Sequence, residues 1–357
     1  MKIFHVIIGL NAGGAELMLS RLIKSQLTFC DVQHSVISLT DEGVVGSMLT
    51  EHGIKVYSLG MSSIFMGPSV FFKLRSLLKE QQPDIIHTWM YHADLLGGLA
   101  ARSIGLRRVI WCIRSTDISK GGSKITLLIR KLCAWLSGWL PYKIVCAADA
   151  SRIVHEAVGY QANKMLVIPN GFDPDKLVVS NTAGLTLRKE LGIDPSDMLV
   201  ISVGRFNPVK DHKTFIAAAG KIAAKFNNVK FLLVGRDLQS TNAALMQMIT
   251  ETNEADMFFL LGERNDVVSC LKASNIFCLH SVTEGFPNVL GEAMAAGLPC
   301  VTTDVGDAAF LLNNSHWVVP AESPELLAQK IVELLKLSSE DRIKLGKYNA
   351  LLKARTL

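Results

Sequence analysis

The stretch EGFPNVLGE, from Glu284 to Glu292, sets two carboxylates eight positions apart around a proline, an asparagine and otherwise apolar residues or glycine. Pro287 fits the first turn of a helix, because its missing N–H would be unpaired there anyway. Gly297 is placed to stop that helix. Phe286 and Pro287 shape the entering turn, and the N–H groups of Asn288, Val289 and Leu290 are left to face a ligand. A helix N-terminus of this kind binds phosphate. Glu292, just over one turn inside, is too close to touch a phosphate without repulsion, but it can accept hydrogen bonds from neutral hydroxyls such as those of a ribose. Glu284, in the loop, can do the same for a second polyol. A phosphate bridge between two hydroxyl-rich groups describes a nucleotide sugar. The plainer alternative, a βα unit with two exposed acids, leaves the Gly-Phe-Pro-Asn turn unexplained.

Phosphates also need cations. In SVGRFNPVKDHKTF, Arg205 ends a strand and Lys210 lies in the loop before the next helix. A guanidinium there can bind two phosphate oxygens at once. In GLNAGGAE, Gly13 and Gly14 follow a strand and precede a helix, so the backbone can approach an anion closely.

These loops need a frame that brings them together. KIFHVII, HSVISL, IKVYSL, DIIHTWM, RRVIWCIR and KIVCA are β-rich runs in the first half, separated by helical stretches. MLVISVGR, VKFLLVG, MFFLLG, NIFCLH and PCVTT repeat the style in the second. Val- and Ile-rich strands alternating with helices predict parallel sheets covered on both faces, an α/β class with two doubly wound, Rossmann-like domains. In such sheets ligands bind beyond the carboxyl ends of the strands. The chain of 357 residues suits two domains. The expected division is an N-terminal domain over 1–168, a linker over 169–184, a C-terminal nucleotide-sugar-binding domain over 185–337 and a helical tail over 338–357.

The composition, 49% apolar and 19% charged, is globular. No charge-free apolar stretch is long enough to span a bilayer. The N-terminal run IFHVIIGL leads into NAGGAE rather than a cleavage site, so no signal peptide is expected. The seven cysteines have no C-x-x-C spacing, which favours reduced, buried thiols in the cytoplasm. Residues 1–170 hold 18 Lys and Arg against 11 Asp and Glu, whereas residues 171–357 hold 19 against 21. The basic half suits an anionic partner, and a peripheral position at the inner face of the plasma membrane is expected. Within it, Lys120, Lys124, Arg130 and Lys131 accompany an apolar stripe, Ile125, Leu128, Leu132, Trp135 and Trp139. That stripe is expected to be core, with the four cations beside it free to rest on lipid. No base-stacking motif supports nucleic-acid binding. No His, Cys and acid cluster has metal-ligand spacing. Asp173 and Asp175 spell D-x-D in the linker, not after a strand, and are set aside as metal ligands.

Taken together, EGFPNVLGE at 284–292, GRFNPVK at 204–210, IPNG at 168–171 and AGGAE at 12–16 resemble glycosyltransferase family 4, in the expected order over nearly the whole chain. The family consists of retaining, nucleotide-sugar-dependent enzymes of the GT-B fold. The resemblance implies that Glu284 holds the transferred sugar and Glu292 the ribose. By the same token Arg205 and Lys210 neutralise the diphosphate in place of a metal, and Gly14 approaches it from the first domain. Arg264, in LGER at 261–264, matches the segment that lines the base. On the acceptor side the resemblance nominates His87, His92 and Arg114, although Trp89 replaces the second histidine of the family's H-x-H. Family members end in a helix that crosses back onto the first domain; the tail here is expected to be short of it, which bears on interdomain coupling.

The expected function is transfer of a sugar from a nucleoside diphosphate donor to a hydroxyl acceptor, a lipid-linked surface glycan, with retention and without a cofactor. A nucleotide-sugar epimerase of the same fold would instead turn over without acceptor. A non-catalytic binding protein would hold donor and transfer nothing. The two carboxylates are expected to separate in calorimetric titrations. Glu292→Ala should weaken binding of nucleoside diphosphate, whereas Glu284→Ala should spare it and weaken only the complete nucleotide sugar. Equal loss in both variants would overturn the division of roles.

Overall fold

A computed structural model describes residues 1–11, 13–29, 31–116, 118, 123–171 and 181–356. The chain forms two compact units, Met1–Asn170 and Gly171–Leu357. The first is built on a seven-stranded sheet: β1 Lys2–Ile7, β2 Gln33–Ser38, β3 Lys55–Ser58, β4 Ile85–Trp89, β5 Val109–Ile113, β6 Lys143–Cys146 and β7 Met165–Val167. Its order is 3-2-1-4-5-6-7, and every pairing is parallel. The second has six strands: β8 Met198–Val203, β9 Val229–Val234, β10 Phe258–Gly262, β11 Ile276–Leu279, β12 Cys300–Thr303 and β13 Val318–Val319. Their order is 10-9-8-11-12-13, again parallel throughout. Both sheets are doubly wound, as the alternation of strands and helices predicts. The short edge strands β7 and β13 carry too few residues to show a period of their own.

Alternation along β1 shows why these strands are apolar on both sides. Phe4 and Val6 enter one hydrophobic cluster with Ile86, Trp111 and Ile144. Ile7 enters another with Leu19, Ile23 and Val36. Successive side chains point to opposite faces, and helices cover both. In the second unit β8 and β9 are likewise buried through Leu199, Val200, Ile201, Phe231, Leu232 and Leu233.

Two expectations change here. Residues 181–184 were expected in the linker because they are rich in Asn, Thr and Gly; they form the start of the helix Asn181–Glu190. Gly184 permits this, since a Cβ there would overlap the backbone of Lys272 on the adjoining helix Val267–Ala273. The tail forms an 18-residue helix, Ser339–Thr356, which packs on the helix Asn288–Ala295 within the second unit. The helix Lys124–Leu136, finally, turns its expected core stripe outward. Leu128 and Trp135 are 67% and 79% exposed, and Ile125, Leu132 and Trp139 are exposed too. The buried residues of that helix are Arg130, Cys133 and Ala134, so Arg130 is not available to a lipid surface. Spacing marks an apolar stripe but not the direction in which it points. Lys120, Asp173 and Asp175 lie outside the described residues.

The tail helix is seated by a close backbone approach. A Cβ on Gly346 would overlap the carbonyl oxygen of Gly297 at the end of the Asn288–Ala295 helix. Gly346→Val should therefore cost about 1–3 kcal/mol and lower the melting temperature of the second unit by a few degrees in calorimetry. An unchanged melting temperature would show that this helix is not seated there.

Candidate active site

The loops after β8 and β11 converge in the second unit. Asn207 caps the single turn Pro208–Lys210, its side chain accepting from the Val209 N–H at 3.1 Å. Asp211 follows with φ of 51° and caps the helix His212–Ala223, accepting from the Thr214 N–H at 3.2 Å. This pair of caps aims Lys210 across to the loop after β11. There its Nζ meets Glu284 Oε1 at 2.5 Å, and the Ser281 hydroxyl donates to the same oxygen at 2.6 Å. No described residue makes a hydrogen bond or ion pair to Glu284 Oε2. The Val282 N–H donates to the Val209 carbonyl at 2.9 Å, so the backbones are joined as well as the side chains. From the far side the Asp307 N–H donates to the Gly285 carbonyl at 3.0 Å. Gly306, at φ of 54°, lets this happen, because any Cβ there would overlap the Gly285 carbonyl.

His280 stands behind the pair. Burial drives its pKa well below the usual value, and His212 adds to the shift. The ring is therefore neutral. Its Nδ1–H donates to the Lys210 carbonyl at 2.5 Å, which leaves Nε2 to accept from the Ser202 hydroxyl at 2.6 Å. One imidazole thus fixes the backbone of Lys210 from the end of β8. Sequence reasoning missed His280, Ser281 and Ser202. The signal available was a pair of polar residues directly after the buried apolar strand of NIFCLHS.

The other expected donor-side residues fall around this centre unequally. Pro287 is the N-cap of the helix Asn288–Ala295 rather than a residue of its first turn. Its carbonyl accepts from the Leu290 N–H at 3.1 Å, so Leu290, expected to offer a free N–H, does not. A tight initial turn has satisfied that donor within the chain. Phe286 and Leu290 are buried and Glu292 is half-buried on the helix. Arg205 is exposed and makes no hydrogen bond or ion pair among the described residues, whereas Lys210 is paired. Arg264 forms a two-pronged pair with Asp266, both contacts at 2.7 Å. That raises the pKa of the arginine and lowers that of the aspartate.

In the first unit Gly14 opens the helix Gly14–Phe29, and the Gly13 carbonyl accepts from the Leu17 N–H at 3.0 Å. His87 and Arg114 are brought together through Trp89. The His87 ring lies 4.9 Å from the indole and the Arg114 guanidinium 5.3 Å over it. Burial first, and Arg114 second, lower the His87 pKa to about 3, so this imidazole is neutral. The Arg114 guanidinium also donates to the Asn170 side chain. His92 lies apart, at the start of the helix Tyr91–Ser103, with its pKa lowered by burial. Among the described residues no cluster of three or more His, Cys, Asp or Glu could hold a metal ion.

Comparison with known proteins agrees with this architecture. Residues 12–176 match the model of Glycosyltransferase Family 4 and residues 185–351 that of Glycosyl transferases group 1. N-acetyl-alpha-D-glucosaminyl L-malate synthase of Bacillus anthracis is 30% identical over 287 residues, covering 77% of this chain and 72% of that protein. The chain belongs to glycosyltransferase family 4. A second family relative, UDP-Gal:alpha-D-GlcNAc-diphosphoundecaprenol alpha-1,3-galactosyltransferase of Escherichia coli, is 29% identical over 68% of this chain. The match spans 63% of that relative's own length. Among solved structures, Anabaena HepE in complex with UDP and glucose superposes with a TM-score of 0.87 at 22% identity, over 99% of this chain and 95% of that one. The fold of the family 4 chain is accordingly GT-B, with two Rossmann-like parallel-sheet domains.

The buried imidazoles make stability depend on acid. His212 is buried, and burial, then Lys210, lower its pKa from 6.5 to about 4. Between those values the unfolded chain binds a proton that the folded chain refuses, so stability is full above 6.5 and is lost as pH falls toward 4. The linked free energy for His212 is on the order of 3 kcal/mol. Melting temperature should therefore fall across that window, and His212→Gln should flatten the slope by about one proton. A wild-type melting temperature constant from pH 7 to 4 would refute this.

Proposed function

We propose that this family 4 chain is a retaining hexosyltransferase that moves a sugar from a UDP-sugar to a hydroxyl of a lipid-linked glycan at the inner face of the plasma membrane. The observation that carries the reading is the Lys210–Glu284–Ser281 constellation beside the start of the helix Asn288–Ala295. It sets a cation, a helix end and an unpaired carboxylate oxygen together at the carboxyl ends of β8 and β11, where open α/β sheets bind ligands.

In the reaction the bond from the sugar C1 to the diphosphate oxygen breaks, the acceptor oxygen bonds to C1, UDP leaves with the electron pair, and the acceptor hydroxyl proton passes to the departing diphosphate. Charge grows on the departing diphosphate. Arg205, Lys210 and the N–H of Val289 would meet that charge with fixed positive ends, which stabilises the transition state without a metal. Glu284, with Oε1 held by Lys210 and Ser281, would turn Oε2 to a hydroxyl of the donor sugar. Glu292 would take the ribose. His87, His92 and Arg114 are assigned to the acceptor side, where a guanidinium suits an anionic acceptor. The uridine base is supported by UDP in the HepE complex. The lipid-linked acceptor is supported by the diphosphoundecaprenol acceptor in the name of the Escherichia coli relative.

A thermal-shift screen of nucleotide sugars should show stabilisation by UDP-sugars above other bases, since a ligand of the native state stabilises by mass action. Transfer from the stabilising donor onto an undecaprenyl-diphosphate sugar then tests the reaction. Lys210→Ala and Arg205→Ala should each lower turnover by roughly 100-fold or more, and EDTA should leave it unchanged. Donor consumption without any acceptor, or activity that EDTA removes and magnesium restores, would overturn the proposal.

A further inference from the structure

The helix Lys124–Leu136 is inverted relative to an ordinary surface helix. It is capped by Ser123, whose hydroxyl accepts from the Thr126 N–H at 3.1 Å, so its start and phase are fixed. Its inward side holds Arg130, 8% exposed, with Cys133 and Ala134. Its outward side holds Ile125, Leu128, Leu132 and Trp135, and the turn after it adds Trp139. At 3.6 residues per turn these share one stripe, and the exposed Lys124 and Lys131 run along one border of it. Arg102 reinforces the end of the stripe: its guanidinium lies 5.3 Å over the Trp139 ring and donates to the Trp139 carbonyl at 2.6 Å. Tyr142, 66% exposed, continues the aromatic surface.

Large apolar side chains scattered singly on a surface need no explanation, whereas a contiguous stripe does. Charge decides what covers this one. Residues 124–142, which carry the stripe, hold Lys124, Arg130 and Lys131 and no acidic residue, and Lys124 and Lys131 are exposed. A second copy of the chain would set that positive charge against itself. An anionic bilayer satisfies both features, because it takes aromatic and aliphatic side chains at the headgroup boundary and attracts Lys and Arg beside them. We infer that Lys124–Leu136 and the following turn form a membrane-docking surface in which Leu128, Leu132, Trp135 and Trp139 enter the interface of an anionic bilayer while Lys124 and Lys131 contact its headgroups. The inference takes from the proposed function only the position of a lipid-linked acceptor, and docking needs neither donor nor acceptor.

The test is sedimentation of the full chain with phosphatidylglycerol-containing vesicles, without nucleotide or acceptor, alongside tryptophan quenching by brominated lipid. Trp89, Trp111 and Trp317 are buried, so quenching reports on Trp135 and Trp139. The chain should sediment, with emission shifted to the blue and quenched. Leu128→Gln combined with Trp135→Gln should reduce vesicle affinity at least tenfold while UDP-induced thermal stabilisation stays unchanged. Lys124→Gln with Lys131→Gln should weaken binding mainly at low salt. Absence of sedimentation, sedimentation without quenching, or a concentration-dependent dimer abolished by the Leu128 and Trp135 changes would each overturn the inference. Failure of sugar transfer would leave these readouts untouched, so the two proposals fail separately.

Discussion

An ammonium and a carboxylate, from residues 74 positions apart, hold the second unit's candidate site together at 2.5 Å. Both groups are only partly buried, with side-chain exposures of 22% and 13% for Lys210 and Glu284. Such a pair is costly to desolvate and is stabilising only when its remaining hydrogen-bonding capacity is met. Ser281 meets part of it by donating to the shared oxygen, and the backbone bond from Val282 to Val209 removes freedom that the pair would otherwise have to restrain. The loops after β8 and β11 therefore behave as one clasp, pressed from behind by the loop that Gly306 allows against Gly285.

The imidazoles around the clasp are kept neutral by burial, and this matters for the local field. His280 can orient the Lys210 backbone without adding a charge, and His212 packs edge-on to it at 5.1 Å with its pKa held near 4. Neither imidazole therefore adds a positive charge beside Lys210. The first unit uses the same device differently. His5 and His87 lie beside Trp89 and His34 stacks on His5, and burial is the first cause of each lowered pKa. The Trp89 indole donates to His5 Nδ1, so His5 must donate through Nε2 to His34. Arg114 brings the charge to the edge of this neutral cluster.

Two sheets of the same winding thus carry different surfaces. The second unit concentrates its chemistry in loops at strand ends. The first also displays an aromatic stripe on a helix whose one buried cation, Arg130, sits beneath it. Interior Arg130 and exterior Trp135 reverse the usual placement, since charged side chains rarely go fully inside and a large apolar stripe is rarely left in water.

The sequence by itself determined the class of fold, the strands, and the loops that carry candidate chemistry, because periodicity, Gly and Pro placement and the residues at strand ends are local properties. EGFPNVLGE could be recognised as a strand-to-helix turn with two acids from nine consecutive residues. Tertiary structure decided what those residues touch. Lys210 and Glu284 were both legible as candidates, but their mutual pairing depends on the 8-11 strand adjacency, which no local pattern encodes. His280, Ser281 and Ser202 became visible only when that adjacency set them behind the pair. Leu290 lost its free N–H to a tight turn whose acceptor is the Pro287 carbonyl. The stripe from Ile125 to Trp139 has the period of a helix face in any environment, and only packing against the rest of its unit turned it outward, because periodicity gives the spacing of a face and not its direction.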